Sequence, residues 1–375
     1  MLDGIAQGVL ALTLAAHGVS AGLAALRCRT QKGAVPAFPG SPPVTIIRPV
    51  CGVEPNDAVT LGSTFALDYP DLRLLFCCDR ADDPAVRLVQ ALIDRHPHVR
   101  AELLIGRDPL TSNPKLNNLL KAWPRIETDW VILADSNVEM PTDYVQRLLV
   151  QWQPDTGVLC APPVGARPQD LAGEIECAFL NTYQARWQYA SDSVGFGFAQ
   201  GKTMMFRTRT LAQAGGIVAL GEEVAEDAAA TKVVRRMGLK AHLVDRPFNQ
   251  PLGPRTLRQV WDRQARWARL RRMTFPRLFA LEVLTSGLLP LALALVVADI
   301  ADAPTAAIAI GTAGLWYGTE MMLAAVSGWH LSWRMPAALM ARDLLLPVIW
   351  IQAWFIDSFD WRGNRISDEE PLSQH

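Results

Sequence analysis

A chain of 375 residues, half of them hydrophobic and 19% charged, is too apolar for a disordered or collagen-like protein and long enough for about two domains, or one domain and a membrane part. Its 36 Lys and Arg against 37 Asp and Glu leave a formal charge of −1, which offers no basic footprint for bulk nucleic-acid binding. The 12 tryptophans include several near the ends of apolar runs, a placement that membrane interfaces favour.

Residues 5–26 (IAQGVLALTLAAHGVSAGLAAL) carry no charge, and about 20 apolar residues cross a bilayer. Asp3 precedes this run, and Arg27, Arg29 and Lys32 follow it, the reverse of a cleaved signal peptide. It reads as an uncleaved anchor, with the following chain in the cytoplasm. His17 reads as a residue tolerated among neighbouring helices. The expected division is an anchor over 1–30, a cytosolic domain over 31–277, transmembrane and interfacial helices over 278–358, and a polar tail over 359–375.

After a Pro-rich connector at 34–43, apolar β-type runs alternate with helical patterns. Strands are expected at Val44–Val50 (VTIIRPV), Leu72–Cys78 (LRLLFCC), 102–106, Trp130–Ala134 (WVILA) and 158–161. Helices are expected at 57–67, 84–96, 114–123 and before the last of these strands. Such alternation predicts an α/β fold with a mostly parallel sheet, whose ligands bind at the strands' carboxyl ends. Neither GxGxxG nor GxxxxGK[ST] occurs at a strand–helix turn, so a Rossmann dinucleotide site and a P-loop are poorly supported. The cysteines Cys28, Cys51, Cys77, Cys78, Cys160 and Cys177 lack zinc spacing. Adjacent Cys77 and Cys78 read as buried strand residues in a reduced compartment.

The C-terminal third offers spans at 278–300, with Glu282 and Asp299, at 305–329, with Glu320, and at 336–356, with Arg342 and Asp343. Charges at such depth are expected to face protein or a water-filled cavity. Arg334 and the pair Arg362 and Arg365 both favour the cytoplasm although one full pass separates them. One C-terminal segment is therefore expected to be interfacial or re-entrant.

Three acidic positions stand out: Asp82–Asp83 after LLFCC, Asp135 ending WVILAD before Ser136 and Asn137, and Glu226–Asp227 opening a helix. Downstream, RQARW occupies 263–267 within a basic stretch. Singly, these read as N-caps, as complements to a helix dipole and as a juxtamembrane lipid anchor. Their order together is more specific. DDPA at 82–85, NPKLNNL at 113–119, ADSN at 134–137, AED at 225–227 and the R-x-x-R-W of Arg263, Arg266 and Trp267 resemble the ceramide glucosyltransferase family, membrane-bound glycosyltransferases of GT-A fold (family 21, close to family 2). RPVCGVEPN around Cys51, LDYP at 67–70 and WRGNR near the C-terminus extend the resemblance over nearly the whole chain.

The resemblance implies a GT-A nucleotide-sugar-binding domain flanked by membrane helices. Departure of a diphosphate leaving group needs positive charge, usually a divalent metal held by carboxylate oxygens. Asp135 matches the metal- and donor-binding aspartate. Asn137 stands where many GT-A enzymes have a second aspartate and supplies a neutral oxygen, so Mg²⁺ or Mn²⁺ is the implied cofactor. Asp83 matches the aspartate beside the nucleotide, and adjacent Asp82 can exchange with it. Lys115 is placed to offset phosphate charge. Arg263 and Arg266 match a motif that closes the donor site through phosphate, although many relatives carry Gln at the Arg263 position. Trp267 belongs to the same motif and either stacks under the acceptor sugar or lipid head or serves as an interfacial anchor. Asp227 matches the general base, with Glu226 as the fallback, and one direct displacement turns an α-linked donor into a β-glycoside. The aromatic helical stretch 170–192 (Phe179, Tyr183, Trp187, Tyr189) faces either the acceptor or a plain core, and Gln200 and Gly201 lie near the site.

The expected activity is inverting transfer of a sugar, glucose foremost, from a UDP-sugar to a membrane lipid hydroxyl, ceramide foremost, at the cytosolic face of the bilayer. N-acetylglucosamine transfer to a hopanoid polyol keeps the chemistry with other substrates. A processive polysaccharide synthase would need more spans, and a non-enzymatic membrane module would make the acidic constellation incidental.

Overall fold

The computed structural model describes residues 2–29, 38, 40–356, 358–361 and 364–367, with side chains at 4–29, 38 and 40–356. Lys32, positions 34–37 and 39 of the connector, Arg362 and Gly363 of WRGNR, and tail residues 368–375 lie outside the described residues, as does the Arg365 side chain. The chain folds as two compact units. A sheet unit comprises 31–164, 194–251 and 360–375, and a helical unit comprises Met1–Thr30, Gly165–Ser193 and Leu252–Phe359. The contiguous 31–277 segment expected from sequence is therefore divided, with 165–193 and 252–277 grouping with the apolar helices. The reason is charge pairing. Glu174, Glu176 and Arg186 are buried, and their ionic partners are His330, Arg263 and Glu320 of that same unit.

The sheet unit is built on seven strands: β1 Val44–Val50, β2 Leu72–Cys78, β3 Arg100–Ile105, β4 Trp130–Ala134, β5 Thr156–Ala161, β6 Thr203–Arg207 and β7 Lys240–Leu243. Their spatial order is β3-β2-β1-β4-β6-β5-β7. β1 pairs in parallel with β2 (Val44↔Leu72 through Val50↔Cys78) and with β4 (Val44↔Trp130 through Ile47↔Leu133). β6 runs antiparallel to both β4 and β5. The largely apolar runs in β1, β2, β4 and β5 follow from burial on both faces, the usual state of strands in a covered parallel sheet. Cys77 and Cys78 are buried there, and burial pushes the Cys77 thiol up to about 12.

Strand order reverses between β1 and β4. The chain first steps outward through β2 and β3, then returns to the far side of β1. Crevices at such reversals, beyond the carboxyl ends of the strands, are where open α/β sheets hold ligands. The turns after β1, β2 and β4 carry Gly52, Asp83 and Asp135. The helix Glu226–Arg236 packs on β5 so closely that a Cβ on Gly157 would lie 2.6 Å from Val234 Cβ and 2.9 Å from Leu239 Cβ. Glycine at 157 thus lets this helix seat, with Glu226 and Asp227 in its first turn.

In the helical unit, Gly4–Cys28 and Met335–Phe355 are long and apolar enough to cross a membrane. The expected 278–300 span is two helices, Pro276–Thr285 and Leu288–Ile300, bent by 49°. Asp343 pins that break: Gly287 N–H donates to its carboxylate (3.0 Å), and the Ser286 hydroxyl donates to its carbonyl (3.3 Å). A bent pair is a broken span or a re-entrant segment, and its length and composition fit both. Thr305–Ser327 is a continuous helix ending at Gly328, whose φ of 66° lies in the left-handed region that glycine adopts freely. The 170–192 stretch is helical throughout, with a π-helical segment at Phe179–Ala185 between Leu171–Ala178 and Arg186–Ser193. Phe179, Tyr183 and Tyr189 are buried.

Among the charges within the apolar helices, Glu320, Arg342 and Asp343 face protein, whereas Asp299 at the end of its helix is exposed. Arg342 makes a two-point contact with Glu320 (2.6 and 3.0 Å), lies 2.9 Å from Asp343 and donates to Thr182 Oγ1 at 3.1 Å. Arg186 lies 3.7 Å from Glu320 and 2.5 Å from His17 Nδ1. His17 stacks on Trp316, with ring centroids 3.6 Å apart.

Candidate active site

The site assembles at the carboxyl end of the sheet from β1 outward. Arg48, a charged residue inside the apolar run of β1, is 1% exposed. Its guanidinium donates to the carbonyls of Asp135 (2.7 Å), Ser136 (2.9 Å) and Val138 (2.8 Å), and on its other side to the Thr60 carbonyl (2.7 Å) and the Thr64 hydroxyl. Burial draws its pKa down to about 10, so it stays charged at neutral pH. Arg48 therefore shapes the turn that aims Asp135 and Asn137. Arg48→Met would strip the guanidinium from three carbonyls of that turn. The Ser136 carbonyl keeps the Thr60 hydroxyl (2.6 Å) and the Asp135 carbonyl keeps the Val138 N–H (3.3 Å), but the Val138 carbonyl loses its partner and the turn its central positive charge. A loss of about 2–4 kcal/mol in stability is expected, together with weaker nucleotide binding, read by thermal melts and UDP calorimetry. Arg48→Lys, which keeps the charge but not the fork, should recover only part of both.

Asp83 caps the helix Pro84–Arg95 by accepting from Ala85 N–H (2.8 Å), and its carboxylate also accepts from Gly52 N–H at 2.9 and 3.0 Å. The capping role and the position beside the crevice are thus both real. Asp82 is exposed and pairs with Arg80 at 2.6 Å.

The centre of the site is an ammonium–carboxylate cluster. Lys115 Nζ lies 2.5 Å from Asp135 Oδ1 and 2.5 Å from Glu226 Oε1. It also donates to the Gly201 carbonyl at 3.2 Å. Burial opposes charge on Lys115, but the two carboxylates outweigh it and hold the ammonium protonated. Lys202 Nζ lies 2.8 Å from Asp135 Oδ2 and 3.1 Å from Asn137 Oδ1. Burial alone would raise the Asp135 carboxyl, yet Lys115 and Lys202 hold it well below the usual carboxylate range. Asn113 caps the short helix Pro114–Leu119 and turns its amide N–H onto Glu226 Oε2 at 2.9 Å.

Asp227 sits differently from its neighbour. Both Glu226 oxygens are engaged, one by Lys115 and one by Asn113. Asp227 accepts from two backbone donors, Gly201 N–H at 3.1 Å and Ala228 N–H at 2.8 Å. Burial, and after it the Glu226 carboxylate, push its pKa up to about 6, against the opposing pull of Lys115 and these N–H groups. Gly201 is confined by the cluster, since a Cβ there would lie 2.8 Å from Glu226 Oε1 and 3.5 Å from Lys115 Nζ.

The donor set suits a hard divalent cation. One ammonium touches both Asp135 Oδ2 and Asn137 Oδ1, so the two oxygens converge on a single cation. Few protein oxygens with phosphate and water completing the shell is the usual arrangement for Mg²⁺. Among the described residues no group of three or more His, Cys, Asp or Glu could hold a metal by itself, so such an ion would depend on ligands from a substrate.

Arg263, Arg266 and Trp267 belong to the helical unit, on the helix Leu257–Thr274. Arg263 pairs with buried Glu176, and Trp267 packs against Cys177, Leu180 and Leu252. Sequence reasoning missed Arg48, Asn113 and Lys202. A lone arginine in an otherwise apolar strand was an available signal for the first; for Lys202 there was none beyond its place beside Gly201.

The fold and this cluster define a GT-A glycosyltransferase architecture. The mannosyltransferase PcManGT from Pyrobaculum calidifontis, solved with GDP-Man and Mn²⁺, shares the fold over 94% of this chain and 98% of its own, at a TM-score of 0.52 and 18% identity. The sequence model of glycosyl transferase family 21 matches residues 9–370, and the chain belongs to this family, that of the ceramide glucosyltransferases. Ceramide glucosyltransferase 1 of Caenorhabditis elegans is 30% identical over 261 residues, covering 68% of this chain and 55% of that protein. Ceramide glucosyltransferase 3 of the same organism is 25% identical over 334 residues, covering 86% of this chain and 72% of its own length. The chain thus spans about half the length of the first of these relatives. The family and GT-A expectations are both met. With two helices among the described residues that are long and apolar enough to cross a membrane, the protein is membrane-associated.

Proposed function

We propose that this chain is an inverting glycosyltransferase that moves a sugar, glucose foremost, from a UDP-sugar to the hydroxyl of a membrane lipid, ceramide foremost, to give a β-glycosylceramide. The observation that carries the reading is Asp227. It is a half-buried carboxylate with a pKa near 6 beside the Lys115–Asp135–Lys202 cluster at the carboxyl ends of the strands. Asp227 takes the proton from the acceptor hydroxyl as that oxygen attacks the anomeric carbon. The bond from that carbon to the diphosphate oxygen breaks, and UDP leaves. Glu226, held by Lys115 and Asn113, positions the ammonium rather than serving as the base. Lys115 and Lys202 present positive charge to the diphosphate. Asp83, and Asp82 next to it, flank the nucleotide; Asp83 does so through the turn at Gly52 that it holds.

Asp135 and Asn137 would hold Mg²⁺ or Mn²⁺. Such an ion supplies neutralisation of charge developing on the leaving diphosphate. Donor-phosphate contacts for Arg263 and Arg266, and an acceptor contact for Trp267, are proposed on the strength of the motif alone. A water-soluble donor and a bilayer-embedded acceptor account for one chain carrying both a nucleotide-type sheet and apolar helices. Arg27 and Arg29 after the first helix favour a cytoplasmic catalytic side.

The test uses the full chain in detergent with Mg²⁺ or Mn²⁺, a panel of UDP-sugars, and ceramide or a hopanoid polyol as acceptor, with products read by mass spectrometry. Hexosylceramide from UDP-glucose is the expected result. Product on the hopanoid alone moves the acceptor and keeps the chemistry. No product from any pair, together with no UDP-sugar binding, overturns the proposal.

A further inference from the structure

Lys202 occupies a position that register dictates. β6 runs antiparallel to β4 with Thr203 opposite Ala134, so the residue before β6 falls opposite the residue after β4. Asp135 N–H donates to the Lys202 carbonyl at 3.1 Å, which continues the ladder one step beyond the strands. The Lys202 side chain, whose residue is 8% exposed, then folds back onto Asp135 Oδ2 (2.8 Å) and Asn137 Oδ1 (3.1 Å). Lys115 sits 2.5 Å from the remaining Asp135 oxygen. Every oxygen proposed for the divalent ion therefore already faces an ammonium. A doubly charged ion entering between Asp135 and Asn137 would have to displace one ammonium and sit close to the other, a like-charge approach that a partly buried site screens poorly.

A diphosphate changes this balance, because it offers the lysine alternative anionic oxygens. We propose that Lys202 is the resident cation of the donor site. It holds the Asp135–Asn137 pair in the ligand-free protein, keeps a divalent ion from binding there alone, and transfers to the diphosphate when the nucleotide arrives. Metal and nucleotide then bind synergistically, each raising the affinity of the other by the same factor. This rests on the donor-site reading above.

The test is Mn²⁺ titration of the full chain in detergent, followed by the loss of the free-ion electron paramagnetic resonance signal, with and without UDP. Wild type is expected to bind Mn²⁺ weakly alone and markedly tighter with UDP. Lys202→Met should bind Mn²⁺ alone about tenfold tighter or more, as expected when a charge-assisted contact to the ligand set is removed, and should gain less from UDP. Lys202→Arg, which restores the charge, should return binding without UDP to the weak range. Lys202→Gln repeats the comparison if the methionine variant fails to fold. Mn²⁺ affinity unchanged by Lys202→Met with UDP binding intact, or wild type that binds Mn²⁺ equally well with and without UDP, overturns this inference alone. Wild type that binds no UDP, with or without Mn²⁺, overturns the donor-site reading and this inference with it.

Discussion

Asp227→Asn is expected to lower lipid glycosylation by about 10²–10⁴-fold while UDP binding stays close to wild type, because the variant keeps the shape of the site and loses the proton acceptor, together with one of the two backbone N–H bonds that the carboxylate accepts. The pH profile of wild type should identify the same group. Asp227 accepts a proton only when ionised, and its pKa lies near 6. Activity should therefore fall as pH drops through about 6, and the residual rate of Asp227→Asn should lack that limb. Stability should move the other way. A carboxyl whose pKa is raised on folding from 3.8 to about 6 is destabilising when ionised. Its contribution to folding is most favourable below the unfolded value and declines as pH rises through the folded one. The uncharged Asn variant should consequently gain in melting temperature relative to wild type as pH rises from 4 to 7, on top of the pH-independent loss of one backbone N–H bond. Wild-type-like turnover in Asp227→Asn would remove it from the role of base. A melting difference between the two proteins that is the same at pH 4 and pH 7 would contradict the environment that raises its pKa.

The largest expected loss of stability comes from the buried charges of the helical unit. Arg342→Met removes the partner of both Glu320 and Asp343, residues at most 1% exposed, and leaves Arg186, 3.7 Å from Glu320, as the nearer remaining cation. Removing one member of a buried ion pair typically costs about 3–5 kcal/mol, because the other charge stays buried without compensation. Thermal unfolding in detergent, followed by tryptophan fluorescence, should show a correspondingly large fall. The double variant Glu320→Leu with Arg342→Leu should lose less than Arg342→Leu alone, since one of the two stranded carboxylates goes with its partner while Asp343 stays. If the double variant lost as much as the sum of the singles, the cluster would not act as a unit.

Much of this could be read along the chain. β1, β2 and β4 match their expected bounds residue for residue, because a short run that is apolar but for at most one arginine and one threonine, set between turn residues, has few alternatives to a buried strand. Asp83, Asp135 and the Glu226–Asp227 pair were identifiable because each closes a strand or opens a helix, where a carboxylate meets a crevice or unpaired N–H groups. The N-terminal apolar helix followed from length and the absence of charge, and the C-terminal one from length and hydropathy despite Arg342 and Asp343. The tertiary structure alone decided the rest. β6, the run TMMFR, has no alternation or β-branched signature strong enough to announce an antiparallel strand inserted between β4 and β5. Once it is there, register brings Lys202 to Asp135 across 67 residues of sequence. Arg48 reaches the turn at Asp135–Val138, some 90 residues away, only through strand order. The difference between Glu226 and Asp227 also lies in which neighbours arrive, Lys115 and Asn113 for one and two backbone N–H groups for the other. Local residue chemistry sets burial pattern and backbone shape, and so determined the strands, the anchor and the acidic positions. Pairing between distant charges depends on which strands and helices become neighbours, so the charge state of the site was settled only by the fold.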